Sequence, residues 1–168
     1  FGTIDFGRLL WTWNQAEAAT RAGARYAVVN AMVPTGLNSV DGIALGYGNG
    51  GAIPANAING GNALVCTKAG ANATCTGGYN PYDTAAFTAI VTEMQKFLPS
   101  ITAAKVVVEY RHVGLGYSGN PFGTDIAPLV TVKLQNMQFD FVTPGLAGLV
   151  SITMPTFATT LPGEDLAP

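Results

Sequence analysis

The feature that most constrains the fold is a proline-free stretch at the start of the chain, which runs as far as Pro34. Most of its residues are good helix formers, so we expect one helix over residues 1–33, about 50 Å long. The front of this helix is apolar and aromatic, with Phe1, Ile4, Phe6, Leu9, Leu10, Trp11 and Trp13. The back is rich in alanine, from Ala16 to Ala31, and such small side chains let another helix or a sheet approach closely.

The composition favours a chain that works within an assembly. Charged residues make up 11% of the sequence, less than half of the usual share of about 25%. A surface with so few charges is poorly protected from self-association. Eight basic and ten acidic residues give a net charge of −2 without a basic cluster, which argues against nucleic-acid binding. The alternative is a secreted monomer rich in Gly and Asn.

A segment dense in Gly and Asn follows, over residues 34–82. It is too long for a passive connection, so we expect a surface insertion of loops with short strands near residues 42–47 and 63–66. Cys66 and Cys75 are the only cysteines, and the turn residues between them favour a hairpin closed by a disulfide. That disulfide would place the chain in an oxidising compartment, outside the cytoplasm. Two unpaired thiols are the alternative.

The second half of the sequence contains a helix pattern followed by strand patterns. Asn80 or Asp83 can cap a second helix that Pro99 ends, with an apolar stripe formed by Phe87, Ile90, Val91, Met94, Phe97 and Leu98. Residues 104–113 alternate as a half-buried strand. Residues 128–142 are expected to form one long strand or a pair of strands. The side-chain parity flips at Gln135-Asn136, where we favour a bulge in one strand over a tight turn that would make a hairpin.

After residue 142 we expect a turn at 143–145, a crossing segment at 146–149 and a last core strand at 149–154 that bends at Pro155. An acidic end follows at Glu164-Asp165. The predicted fold class is α+β. Both helices would pack on one face of an antiparallel sheet of three to five strands.

Signals for catalysis are poor, and we expect neither an enzyme nor a cofactor. The only histidine, His112, lies on the apolar face of its predicted strand, and we interpret it as a structural residue. The loop around Ser118 lacks the second glycine of a nucleophile elbow. Asp41, Asn120 and Asp125 could ligate calcium together with loop carbonyls, but their spacing matches no EF-hand loop, so we expect no metal site.

The N-terminal stretch resembles TadE-like proteins, the pilin-like proteins of tight-adherence pili. The matching features are the run FGTIDFGR at 1–8, then Asn14-Gln15, and then the Ala/Arg-rich segment 21–26. In that family the stretch follows a membrane helix, so the resemblance implies membrane contact only through a segment upstream of residue 1. Phe1 with an acid at position 5 also resembles mature type IV pilins, although Arg8 and Asn14-Gln15 interrupt the apolar run that those proteins need.

These observations predict an assembly helix at 1–33 and an α+β head domain at 34–168. The expected function is that of a structural subunit of an extracellular pilus or filament, with copies of itself and other pilus components as partners. The alternative is a secreted monomeric binding module that uses loops 34–82 and 114–126. The predicted assembly interface comprises Phe1, Ile4, Asp5, Phe6, Leu9, Leu10, Trp13, Ala16, Glu17, Arg21 and Arg25.

Overall fold

The computed structural model describes residues 2–121, 124–142 and 151–163. The long helix α1 comprises Gly2–Val29, and α2 comprises Thr84–Gln95. The strands are β1 (Leu64–Thr67), β2 (Thr74–Cys75), β3 (Val106–Arg111), β4 (Leu129–Leu134), β5 (Gln138–Asp140), β6 (Ser151–Thr153) and β7 (Phe157–Pro162). The predicted α+β class is therefore confirmed.

Five of these strands form an antiparallel sheet in the order β2-β1-β3-β4-β7, and β5 pairs with β6 in a separate two-stranded sheet. One face of the large sheet is apolar, because Val106, Val108 and Tyr110 of β3 lie on the same face as the buried residues of β4, while Val107 is buried on the other face. Val108 pairs with Val132, and Tyr110 pairs with Val130. Both helices cover this face, as expected from the sequence.

Helix α1 lies against the large sheet mainly through its second half. Ala16, Ala19, Ala24 and Ala27 are buried there, and Thr20 contacts Thr159 of β7 through their hydroxyl groups at 3.3 Å. Gly23 faces both α2 and the sheet: a Cβ added to it would lie 2.7 Å from Met94 Cγ and 3.3 Å from Val132 Cγ1. The alanine-rich back thus packs within the subunit.

The predicted end of α1 at residue 33 is four residues too late. The helix ends at Val29, and the Asn30 side chain turns back to donate a hydrogen bond to the Tyr26 carbonyl. Met32 and Val33 then enter the core in an extended segment, where the Val33 N–H donates to the Tyr110 hydroxyl. Burial of that hydroxyl raises the pKa of Tyr110 well above its ordinary value.

Helix α2 begins as predicted. The Asp83 carboxylate accepts hydrogen bonds from the N–H groups of Ala85 and Ala86, which is the N-cap arrangement. The apolar stripe is buried except for Phe97, which is exposed because the helix ends at Gln95 and the following turn directs it outward.

The predicted long strand over 128–142 is wrong. Neither a bulge nor a hairpin forms at Gln135-Asn136, because β4 ends at Leu134 and the left-handed backbone of Asn136 (φ 55°) leads the chain out of the large sheet. The next strand, β5, pairs with β6. The last strand of the large sheet is β7, which follows Pro155 and pairs with β4.

The expected strand at 42–47 is also absent, because these residues form turns. The short strand expected at 63–66 is confirmed as β1, with bounds shifted by one residue. Several other expectations lie outside the described residues: those for Phe1, for the turn and crossing segment within 143–150, and for Glu164-Asp165.

Candidate assembly surface

The first half of α1 presents its large side chains to solvent. Ile4 and Phe6 are each 60% exposed, Leu10 is 49% exposed and Trp11 is 68% exposed. We call these four residues the helix patch. Ile4 and Trp11 lie seven residues apart in one row along the helix, and Phe6 and Leu10 lie four apart in a second row. At about 100° per residue, the two rows together span roughly half of the helix circumference. Four large exposed apolar residues within three turns of a helix are typical of an interaction surface.

Trp11 was not among the predicted interface residues. In sequence it is one of several aromatic residues, and nothing in the apolar pattern separates it from Trp13. The structure does separate them, because the Trp13 ring packs edge-on against Phe157 of β7 with a centroid distance of 5.0 Å. Trp13 is therefore partly engaged within the subunit, whereas Trp11 remains the most exposed large apolar residue of the described chain.

Asp5 lies on the opposite side of the helix from the patch and is only 2% exposed. Its Oδ1 accepts hydrogen bonds from Arg8 Nη1 at 2.8 Å and from the Val142 N–H at 3.2 Å. The Arg8 guanidinium also stacks over the Phe139 ring, 5.2 Å from its centroid. The two-stranded sheet thus covers this side of the first half of α1, and Leu9 also packs against the core.

The remaining predicted interface residues divide between surface and core. The Glu17 carboxylate accepts from Trp13 Nε1 at 3.1 Å and from Arg21 Nη2 at 3.2 Å, so it binds the side chains four positions before and after it. Arg21 and Arg25 are exposed on the same row. Ala16 is fully buried, and so, like Asp5, it offers no surface to a second molecule in this fold.

Gly7 lies in the middle of the helix patch. Glycine within a helix costs about 0.5–1 kcal/mol relative to alanine. The fold does not require it, since a Cβ at Gly7 would meet no described atom within 4 Å. Gly23 in the same helix is different, because packing against Met94 leaves no room for a Cβ.

Cys66 and Cys75 form a disulfide, as predicted. They are directly opposite each other on β1 and β2, at the edge of the large sheet. The bond closes the hairpin that carries the residues between them, and Cys66 is buried in the core.

Sequence spacing does not reveal the role of Asp125. Its carboxylate accepts hydrogen bonds from the N–H groups of Gly42 (2.7 Å), Gly119 (3.0 Å) and Asn120 (2.8 Å). Burial disfavours the charged form, but the three N–H donors outweigh it and hold the pKa of Asp125 below its ordinary value. A carboxylate surrounded by N–H donors is a structural tie between loops.

Two other residues considered for chemistry also have structural contacts. The Ser118 hydroxyl donates to the Tyr47 carbonyl, and the residue is buried. His112 is buried with its Nε2 3.1 Å from the Ile53 carbonyl oxygen, which fixes Nε2 as the protonated nitrogen. Within the described ranges no three His, Cys, Asp or Glu residues lie close enough to hold a metal ion.

With this geometry in place, comparison with known proteins adds one finding. Residues 1–25 match the family model described as TadE-like protein. No curated protein and no solved structure matches the chain. The match confirms the resemblance seen in the sequence, and it falls entirely on the N-terminal segment that carries the helix patch.

The TadE-like segment thus includes both halves of α1, the exposed aromatic half and most of the buried alanine-rich half. The TadE-like match suggests association with pilus components, and together with the disulfide it suggests an extracellular or surface location. None of the helices in the described ranges has the length and apolarity that crossing a membrane requires.

Proposed function

We propose that this chain is a structural subunit of an extracellular pilus or filament, TadE-like in kind, which assembles through the first half of α1. The observation that carries the proposal is the division of this helix. The alanine-rich face of its second half is buried in the subunit, whereas the first half exposes Ile4, Phe6, Leu10 and Trp11. Burying one such side chain contributes about 1.5–3 kcal/mol, so water is an unfavourable final environment for the patch.

Two further observations support the proposal. The family match falls on the segment that exposes the patch. The disulfide at the sheet edge suits a protein that works at the cell surface, outside the reducing cytoplasm.

The same proposal includes the absence of catalysis. The residues considered for chemistry have structural contacts, since Asp125 is surrounded by backbone donors and Ser118 Oγ and His112 Nε2 bind carbonyl oxygens. The partners proposed here are copies of the chain and other pilus components, located at the cell surface.

The experiment is electron microscopy of filaments from producing cells that carry the double substitution Leu10→Asp and Trp11→Asp. Trp13 is left unchanged because it packs against Phe157 within the subunit. We expect filaments containing the protein to be lost, because two buried carboxylates would oppose the contact.

The matched control is Phe97→Asp, which places a carboxylate at an exposed phenylalanine on the turn after α2. Filaments should persist in that variant. Normal filaments from the double variant, with the folded protein present in them, would contradict the proposal. A chain found at the surface only as a monomer would instead favour the binding-module alternative.

A further inference from the structure

The large sheet ends in two edge strands that differ in how much backbone they present. One edge is β2, which has only two residues and is held to β1 by the disulfide. The other edge is β7, which has six residues and no Asp, Glu, Lys or Arg. Proteins usually protect a long edge strand with charged residues, bulges or proline, because a free edge pairs readily with another chain. In β7 the one such residue is Pro162, at the end of the strand.

The register of β7 shows which of its backbone groups face away from the sheet. The Gly163 N–H donates to the Pro128 carbonyl, and this bond continues the pairing of β7 with β4. Alternate residues of an antiparallel strand bond to the same neighbour. The odd-numbered residues of β7 therefore bond to β4, whereas Ala158 and Thr160 direct their N–H and C=O groups outward. Both residues are exposed, and no backbone bond from elsewhere in the described chain reaches them.

Space for a further strand is present beside β7. A cleft of about 300 Å³ lies between this strand and α1, lined by Trp13, Glu17, Thr20, Arg21 and residues 155–159. Because successive residues of a strand point to opposite faces, a cleft lined by every residue from 155 to 159 borders the edge of the strand. Outward N–H and C=O groups beside an open cleft fit an extended backbone, which is how peptides are recognised by strand addition.

We propose that β7 pairs with β7 of a second copy, antiparallel, about a two-fold axis at Thr159. The edge is self-complementary in this register. Ala158 of each copy lies opposite Thr160 of the other, and the two residues exchange N–H···O=C bonds, which satisfies all of their outward groups. No charged side chain in β7 opposes pairing with its own copy. The contact is separate from the helix patch, and so it goes beyond the proposed function.

The end of the strand is compatible with this pairing. Pro162 lies opposite Thr156 of the second copy, where its carbonyl oxygen can accept the Thr156 N–H. The N–H that proline lacks is at the last position of the strand, so its loss does not interrupt the ladder. The five-stranded sheets of the two copies would then form one continuous sheet.

The test is sedimentation velocity of the 168-residue chain that carries Leu10→Asp and Trp11→Asp, which removes the proposed contact through the helix patch. We expect this parent to form a dimer. Adding Thr160→Pro removes an outward N–H without removing a bond to β4, so the dissociation constant of the dimer should rise roughly tenfold or more. The matched control is Thr160→Val, which loses the same hydroxyl contact with Thr131 but keeps the N–H. It should dimerise like the parent.

Cross-linking tests the register. The two copies of Thr159 would form the non-hydrogen-bonded pair at the axis, with their Cα atoms about 4.5 Å apart. Thr159→Cys in the same parent should therefore give a disulfide-linked dimer under mild oxidation. Thr131→Cys places the thiol on β4, one strand away from the edge, and should remain unlinked.

The outcomes separate this inference from the proposed function. A parent that remains monomeric at every concentration would overturn the inference and leave assembly through α1 standing. A dimer that Thr160→Pro weakens and Thr159→Cys links, beside normal filaments from the parent, would support the inference and contradict the proposed function.

Two further results would also overturn the inference. One is equal dimerisation of the proline and valine variants, with circular dichroism and a thermal melt showing both to be folded. The other is a dimer that the proline variant weakens but that Thr159→Cys does not link, since β7 would then pair with something other than its own copy in this register. If Thr160→Pro does not fold, Ala158→Pro removes the other outward N–H and replaces it in the comparison.

Discussion

At the scale of single residues, Asp125 shows how one buried carboxylate organises loops that lack regular secondary structure. Its three N–H donors come from two segments, and Gly42 is 83 residues away in sequence. No local pattern encodes such a contact, which is why the sequence predicts the position of the loops but not their tie. The sequence does predict the cap at Asp83, because its donors at Ala85 and Ala86 are neighbours in the chain.

The Asp125 tie predicts a specific pH dependence. Because the pKa of Asp125 lies below the unfolded value of about 3.9, its contribution is complete above that value and disappears as the pH falls through the folded-state pKa. Asp125→Asn should lower the free energy of unfolding at pH 7 by at least about 2 kcal/mol, since buried N–H donors lose their charged acceptor.

Urea unfolding at pH 7 and at about pH 2 checks this expectation. The difference between wild type and variant should shrink at the lower pH. The control Asp140→Asn changes an exposed carboxylate on β5 and should have little effect. A difference that is the same at both pH values would rule out the proposed tie.

At the scale of elements, α1 has two halves with different partners. The sequence predicts the helix itself, because its residues are good helix formers. The sequence does not show which half the subunit buries, since both an alanine face and an aromatic face are able to pack. The positions of β5, β6 and β7 determine which half is buried. Strand β7 lies along the second half of α1, and the small sheet covers one side of the first half.

The two glycines of α1 test this division. Gly7→Ala should raise the free energy of unfolding of the monomer by about 0.5–1 kcal/mol, because helix propensity improves and the site is open. Gly23→Ala should lower it by about 1 kcal/mol, because the new Cβ would overlap Met94 in the core.

Chemical denaturation of dilute protein measures both substitutions, and each variant serves as the control for the other. The same sign of change at both positions would mean that the two halves do not differ as described. If a second copy also approaches Gly7 closely, Gly7→Ala should weaken self-association while it stabilises the monomer.

The hairpin of β1 and β2 gives a second element-scale prediction. Reduction of the Cys66–Cys75 disulfide, or the double substitution to Ser, should cost about 2–3 kcal/mol of stability, because it frees a short closed loop. Unfolding with and without a reductant measures this cost, and the double-Ser variant should not respond to the reductant. If the wild-type protein were equally stable with and without the reductant, the predicted stabilisation by the disulfide would be contradicted.

The strands show where prediction from the sequence ends. Residues of β3 alternate except for the buried Val107, and that alternation predicts which face of the strand is buried. The parity flip at Gln135-Asn136 is visible in the sequence, but local residues do not tell a bulge from a departure into another sheet. That choice depends on β6, which pairs with β5 through contacts distant in sequence.

At the scale of the whole molecule, the chain combines a closed core with an exposed apolar segment at the first half of α1. The sheet and the second half of α1 bury Ala16, Ala19, Ala24 and Ala27. The helix patch remains exposed in a protein with only 11% charged residues. A low charge content is visible in the sequence, whereas the position of the exposed apolar segment requires the fold.

The central claim is that the first half of α1 becomes covered when the protein assembles, and Trp11 reports on it directly. The chain has two tryptophans, so Trp13→Phe leaves Trp11 as the single fluorophore and keeps an aromatic ring against Phe157. Iodide quenching of Trp11 should be strong in dilute monomer, and in assembled material it should be largely lost with a blue shift of the emission. Assembled material in which Trp11 remains as accessible to iodide as in the monomer would contradict the claim.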